Sequence, residues 1–231
     1  MTIMKDKEQP EESQPKKRKV SQGPIKEKAR TMQKLVDAVG IVLRSEGYTG
    51  LTIAKIAAAA GLDRKLIYAY FGDVNNLIET YIRKRDYWAN SYDDEIVPDI
   101  ITQNHVSVTD GQHFLQGHFN AFLEDVEMQK MILWELSEVN PLLIEIVELR
   151  EKVGEELFKY SDPYFEGTGV NMRAITAVMI GGIYYLSLHA KTNGVTICGI
   201  DVNQPDGKQA ILDALAQIVA FGYEAAEKTK K

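Results

Sequence analysis

The stretch TIAKIAAAAGLDRKLIYAYFGD, Thr52 to Asp73, constrains the fold more than any other part of the chain. Ile53, Ile56, Ala57 and Ala60 share one face of a short helix with Lys55 outside it, and Gly61 then supplies a tight turn. A second helix follows at once, with Ile67 four residues before Phe71 and Leu66 four before Tyr70. Helices this short are marginal alone, so they must pack on each other and on a third element. Arg64, Lys65 and Tyr68 gather on the other side of the second helix, which therefore has one apolar and one polar surface. That is the helix-turn-helix plan, in which the second helix enters the major groove of duplex DNA.

The flanks agree with this reading. After Pro24, Met32, Leu35, Val36, Val39 and Leu43 form one helical stripe that stops at Gly47. Thr52 is placed to cap the next helix, and Asp63 caps the third through its carboxylate. Gly72 and Asp73 end the third helix and cap a fourth that runs toward Trp88. Beyond Asn90 the periodicity predicts helices over roughly 112–126, 130–139, 142–160, 171–191 and 207–227, with breaks at Pro141, Pro163 and Gly167 to Gly169. Gly194 to Asn203, GVTICGIDVN, is β-branched and reads as a loop with some extended character.

Charge divides the chain in the same place. Its net charge of −6 hides a balance of +6 over residues 1–90, from 17 basic and 11 acidic side chains, and −12 over 91–231, from 10 and 22. One part is suited to a polyanion and the rest is not. Residues 1–24, charged and proline-bearing, are expected to form a disordered basic arm. Within it PKKRKV, residues 15–20, is similar to a short nuclear import signal; contact with DNA phosphates and no role at all are the other readings. Residues 25–72 are assigned to the helix-turn-helix domain, 73–90 to a connecting helix and 91–231 to a helical regulatory and dimerisation domain.

From Leu35 to Leu77 the chain resembles the DNA-binding domain of the tetracycline-repressor (TetR) family. The resemblance rests on Ala38, Gly47-Tyr48, Leu51-Thr52, Ile56-Ala57, Ala60-Gly61-Leu62, Ile67-Tyr68, Phe71 and Leu77. Asp63, Lys65 and Leu66 depart from the family pattern, as does Val74, which stands where a phosphate-binding lysine is usual. The resemblance implies an all-α protein with an N-terminal three-helix DNA-binding domain and a C-terminal bundle that dimerises and encloses a ligand. It also implies a dimeric repressor on a pseudo-palindromic operator in double-stranded DNA. Thr52, Lys55, Arg64, Lys65, Tyr68 and Tyr70 are the candidate DNA contacts, Arg64 and Lys65 for base edges and Lys55 and the tyrosines for the backbone. Tyr70 is open between core and phosphate contact.

For the second domain the sequence offers texture rather than a motif. His118, Phe122, Met131, Trp134, Tyr184 and Tyr185 combine apolar bulk with polar tips and are the candidates for a small apolar or aromatic effector; ordinary core is the alternative. Ala174, Ala177, Gly181 and Gly182, with Ile211, Leu215, Ile218, Val219 and Phe221, are the candidate surface of a homodimer. A DNA-binding dimer that answers to a protein, or to no ligand, stays open beside the effector-released repressor. Four histidines lack ligand spacing, no Gly-rich phosphate loop is present and Cys198 stands alone, so no catalytic residue, metal or cofactor is predicted. The weakly charged run Ala174 to Ala190 is too short and too polar to span a bilayer, and a cytoplasmic setting is expected.

Overall fold

A computed structural model describes residues 23–85, 96–192, 194 and 196–230. The PKKRKV segment and the end of the expected connecting helix, 86–90, lie outside the described residues.

Pro24 opens α1 (Pro24–Glu46) at the position where a missing N–H costs nothing, and Leu35, Val36, Val39, Val42 and Leu43 form its buried stripe. A single 3₁₀ turn, Tyr48–Gly50, leads to α2 (Ile53–Ala60), where the Thr52 hydroxyl accepts from Lys55 N–H at 3.4 Å. Gly61 sits at φ +65°, which lets the chain reverse within one residue. The Asp63 carboxylate accepts from Lys65 N–H at 2.8 Å to start α3 (Lys65–Phe71), and the Asp73 carboxylate accepts from Asn76 N–H at 2.8 Å to start α4 (Val74–Arg85). Asn76 also donates to the Phe71 carbonyl at 2.8 Å, tying the end of α3 to the start of α4. Ile56, Ala57, Ile67, Leu77, Ile78 and Ile82 close this unit against α1.

The second unit is a bundle of α5 (Ile96–Gln103), α6 (Val108–Glu124), α7 (Val126–Ser137), α8 (Pro141–Phe165), α9 (Met172–Lys191) and α10 (Pro205–Lys230). Helix α6 runs through its middle, packed on α7, α9 and α10. It begins with a capping box between Ser107 and Asp110. Gln112 and Gln116 donate to the Ala216 and Leu212 carbonyls of α10 at 2.9 and 3.0 Å, and Tyr223 donates from α10 to the Val106 carbonyl at 2.7 Å. These bonds fix α6 and α10 in register.

Three expectations from sequence are corrected. Pro163 does not end its helix: α8 continues to Phe165, because a proline in the final turn removes only one bond near an end that frays anyway. Pro141 opens α8 rather than separating it from a later start, again as the first helical residue. Helix α5, not expected, carries apolar residues whose pattern is cut by Pro98. Residues 197–200 do form a tight turn of extended character, with Ile197 and Ile200 in an antiparallel bridge at 2.9–3.0 Å.

Candidate nucleic-acid interface and effector cavity

On α3, Ile67 is fully buried, Leu66 and Phe71 are half-buried, and Arg64, Lys65 and Tyr68 face outward, Tyr68 with 54% of its surface exposed. Its polar surface is thus free of the fold while its apolar surface holds it rigid. Tyr70 lies between the two, half-buried, with the Lys28 ammonium 5.4 Å from its ring centre. Thr52 is exposed next to α2's first turn, and Lys55 is exposed but ion-paired with Glu46 at the end of α1. Together these six residues come from α2, α3 and the turns around them.

Matching by family places residues 35–80 in the bacterial regulatory proteins of the tetR family. That segment, α1 to α4, is similar to the tetR-family regulatory module. A search of curated proteins returns no match. Among solved structures, the fatty acid degradation regulator FadR from Bacillus halodurans superposes with a TM-score of 0.55 at 19% identity, over 81% of this chain and 96% of that one. The TetR family repressor AlkX from Dietzia sp. strain DQ12-45-1b, implicated in biodegradation of n-alkanes, gives 0.45 at 20% identity, over 84% and 96%. The FadR superposition extends the likeness in fold beyond the matched segment, to a helix-turn-helix head on a helical body.

Head and body are bolted together at the start of α7. Asp125 caps that helix, accepting from Glu127 and Met128 N–H at 2.9 and 3.0 Å, and also receives Arg85 of α4 at 3.2 Å. Glu127, only 8% exposed in its side chain, faces Arg85 at 2.9 Å, Arg44 of α1 and the Tyr81 hydroxyl. Burial pushes the Tyr81 phenol up to about 12 against the opposing pull of Arg85 and Arg44, so it stays a neutral donor. Above the bolt, Trp134 of α7 stacks on Tyr48 of the head, ring centres 5.5 Å apart and planes within 5°, while its Nε1 donates to Glu138 at 2.6 Å.

Within the body, a cavity of about 240 Å³ lies among α5, α6, α7, α8, α9 and α10. Phe114, Leu115, Leu157, Phe158, Ile180 and Val219 give it apolar walls, and Glu135 and Arg150 bring charge where α7 meets α8. Of the six side chains singled out from sequence, Tyr184 lines this cavity. His118 and Phe122 pack behind it, with ring centres 5.4 and 4.7 Å from Tyr184. Burial, and Arg150 to a lesser degree, lowers the His118 imidazole to about 4, so it is neutral at pH 7. Met131 is core, Trp134 belongs to the junction with the head, and Tyr185 is 65% exposed on the opposite side of α9.

Sequence reasoning missed Arg150 and Glu127. Arg150 had a signal: it falls four residues after Ile146 and seven after Leu143 on the buried stripe of α8, a charge where the period demands an apolar side chain. Glu127 had none, since its partners are 42 to 83 residues away in sequence on other helices. Among the described residues no group of His, Cys, Asp or Glu is arranged to hold a metal ion, and no helix is long and apolar enough to cross a membrane.

Proposed function

We propose that this protein is a dimeric repressor that binds a pseudo-palindromic operator and is released from it by a small molecule held in the C-terminal cavity. The observation that carries the reading is the exposed face of α3, where Arg64, Lys65 and Tyr68 stand clear of a rigid head. Arg64 and Lys65 reach base edges, Arg64 bidentate to guanine; Thr52, Lys55, Tyr68 and Tyr70 hold phosphates.

Dimerisation is supported by a face that α9 and α10 leave open. Val178 is 76%, Tyr185 65%, Phe221 61% and Ile218 40% exposed, and Gly181 and Gly182 have no neighbour within 4 Å of where a Cβ would stand. Apolar side chains around two small residues suit the close approach of a symmetry-related helix pair. Two heads then sit about one DNA turn apart, roughly 34–36 Å. The effector acts through α7, whose far end lines the cavity and whose near end is bolted to α1 and α4. Driving the population from 1:99 to 99:1 needs about 5.5 kcal/mol of differential affinity between the two states.

Selection from a random duplex pool tests the reading directly. A two-fold symmetric sequence is expected, and scrambling one half should collapse binding. On the selected site Arg64→Ala should cost about 1–3 kcal/mol and relax preference at one base pair, whereas Lys55→Ala weakens all sequences alike. Equal loss for Arg64→Ala on selected and random DNA would show that Arg64 does not read a base.

A further inference from the structure

Among the described residues that line the cavity, Arg150 is the one cation, and it already has a replaceable partner. Arg150, 12% exposed in its side chain, donates from a guanidinium nitrogen to Glu135 at 2.6 Å, and Glu135 is 24% exposed. Of the other acidic side chains on the wall, Asp110 closes the capping box with Ser107, and Glu151 is solvent-exposed. Beside Arg150 the neutral His118 adds no second positive charge. The remaining surface is apolar, from Phe114, Leu157, Phe158, Ile180 and Val219.

Building on the effector reading above, we propose that the cavity takes a medium-length aliphatic carboxylate whose head group replaces Glu135 as the partner of Arg150. The volume, about 240 Å³, lies below the roughly 300–1,000 Å³ of sites for drug-sized ligands, which suits a short acyl chain rather than a long one. A carboxylate entering an apolar cavity needs a cation that matches its two oxygens, and a guanidinium does so in a fixed fork. Of the two charges in the Arg150–Glu135 pair, the arginine is the more buried, so the glutamate is the one with a path to water. An amine pairing with Glu135 would strand the more buried Arg150 without its counter-charge, and an uncharged ligand would leave the pair closed. The exchange also moves the right element. Glu135 is the neighbour of Trp134 in the last turn of α7, and freeing it releases the end of the helix that stacks on Tyr48, on the same helix whose first turn carries Glu127.

The test uses the full chain and calorimetric titration with octanoate, octanol and octylamine at pH 7.5. Octanoate should bind at least about tenfold more tightly than either analogue, a difference of about 1.4 kcal/mol. Glu135→Gln, which removes the competitor, should tighten octanoate and leave octanol unchanged; Arg150→Gln should reduce octanoate to the level of octanol. Equal binding of octanol, or a preference for octylamine, overturns the proposal, and because that series uses the unaltered protein it decides even if Arg150→Gln does not fold. The same titrations repeated on the operator complex separate the two readings: octanoate that binds through Arg150 yet leaves operator affinity unchanged supports the ligand class and overturns effector-driven release.

Discussion

Replacing Glu127 by Gln removes the charge at the centre of the junction between head and body while keeping its shape. The carboxylate is 8% exposed and meets Arg44, Arg85 and the Tyr81 hydroxyl, and Tyr81 itself is 4% exposed. Breaking a fully buried ion pair costs about 3–5 kcal/mol, but both arginines are nearly half exposed, at 47% and 48%, and can turn to water. A discounted loss of about 2–3 kcal/mol follows, or a fall in Tm of about 4–12 °C for a chain of this size. Tyr81→Phe leaves the two arginines in place and should cost about 1.5 kcal/mol, the worth of one hydrogen bond to a charged acceptor. In a double-mutant cycle measured by urea denaturation, the two losses should fall short of additivity by about 1 kcal/mol. A Glu127→Gln protein within about 0.5 kcal/mol of the unaltered one would mean that the junction behaves as an ordinary surface cluster, and the reasoning would fail.

Three further outcomes are expected. The folded protein holds His118 near 4 against an ordinary 6.5, so stability is fully present above pH 6.5 and is lost as pH falls toward 4, by about 3 kcal/mol; His118→Leu should flatten that part of the pH profile of denaturation. Gly61→Ala should cost about 1–2 kcal/mol from backbone strain alone, because φ is +65° and an added Cβ meets nothing within 4 Å; a neutral result in urea melts would contradict this. Val178→Glu should shift sedimentation toward the monomer without changing helicity, whereas an unchanged sedimentation coefficient would remove α9 from the dimer face.

The head was legible in sequence because its determinants are local. Caps at Thr52, Asp63 and Asp73 and glycines at 61 and 72 act within four residues of themselves, and the structure has each where spacing predicts it. The body was legible only as helices. Which side chains face a shared cavity depends on how six helices are rotated about their axes, and a period of 3.6 residues gives a stripe without saying what lies across from it. Trp134 illustrates the gap: bulk with a polar tip suits a ligand wall, yet it stacks on Tyr48 of the other unit, 86 residues earlier. The Arg150 position could have been found by asking which charge interrupts an apolar stripe.

On the face proposed to meet DNA, Lys55 is already paired with Glu46. To a phosphate backbone, that pair presents almost no net charge, so binding there trades one anion for another and releases few condensed cations. Arg64 and Lys65, with no acidic side chain in either's immediate sequence turn except the helix-starting Asp63, are charged in a way the pair is not. Under the proposed function, attraction to any duplex would thereby be muted near α2 and concentrated on α3, the helix proposed to read sequence. Neutralising Glu46 would give the protein a stronger grip on DNA in general, and a poorer ability to tell its operator from the rest of a genome.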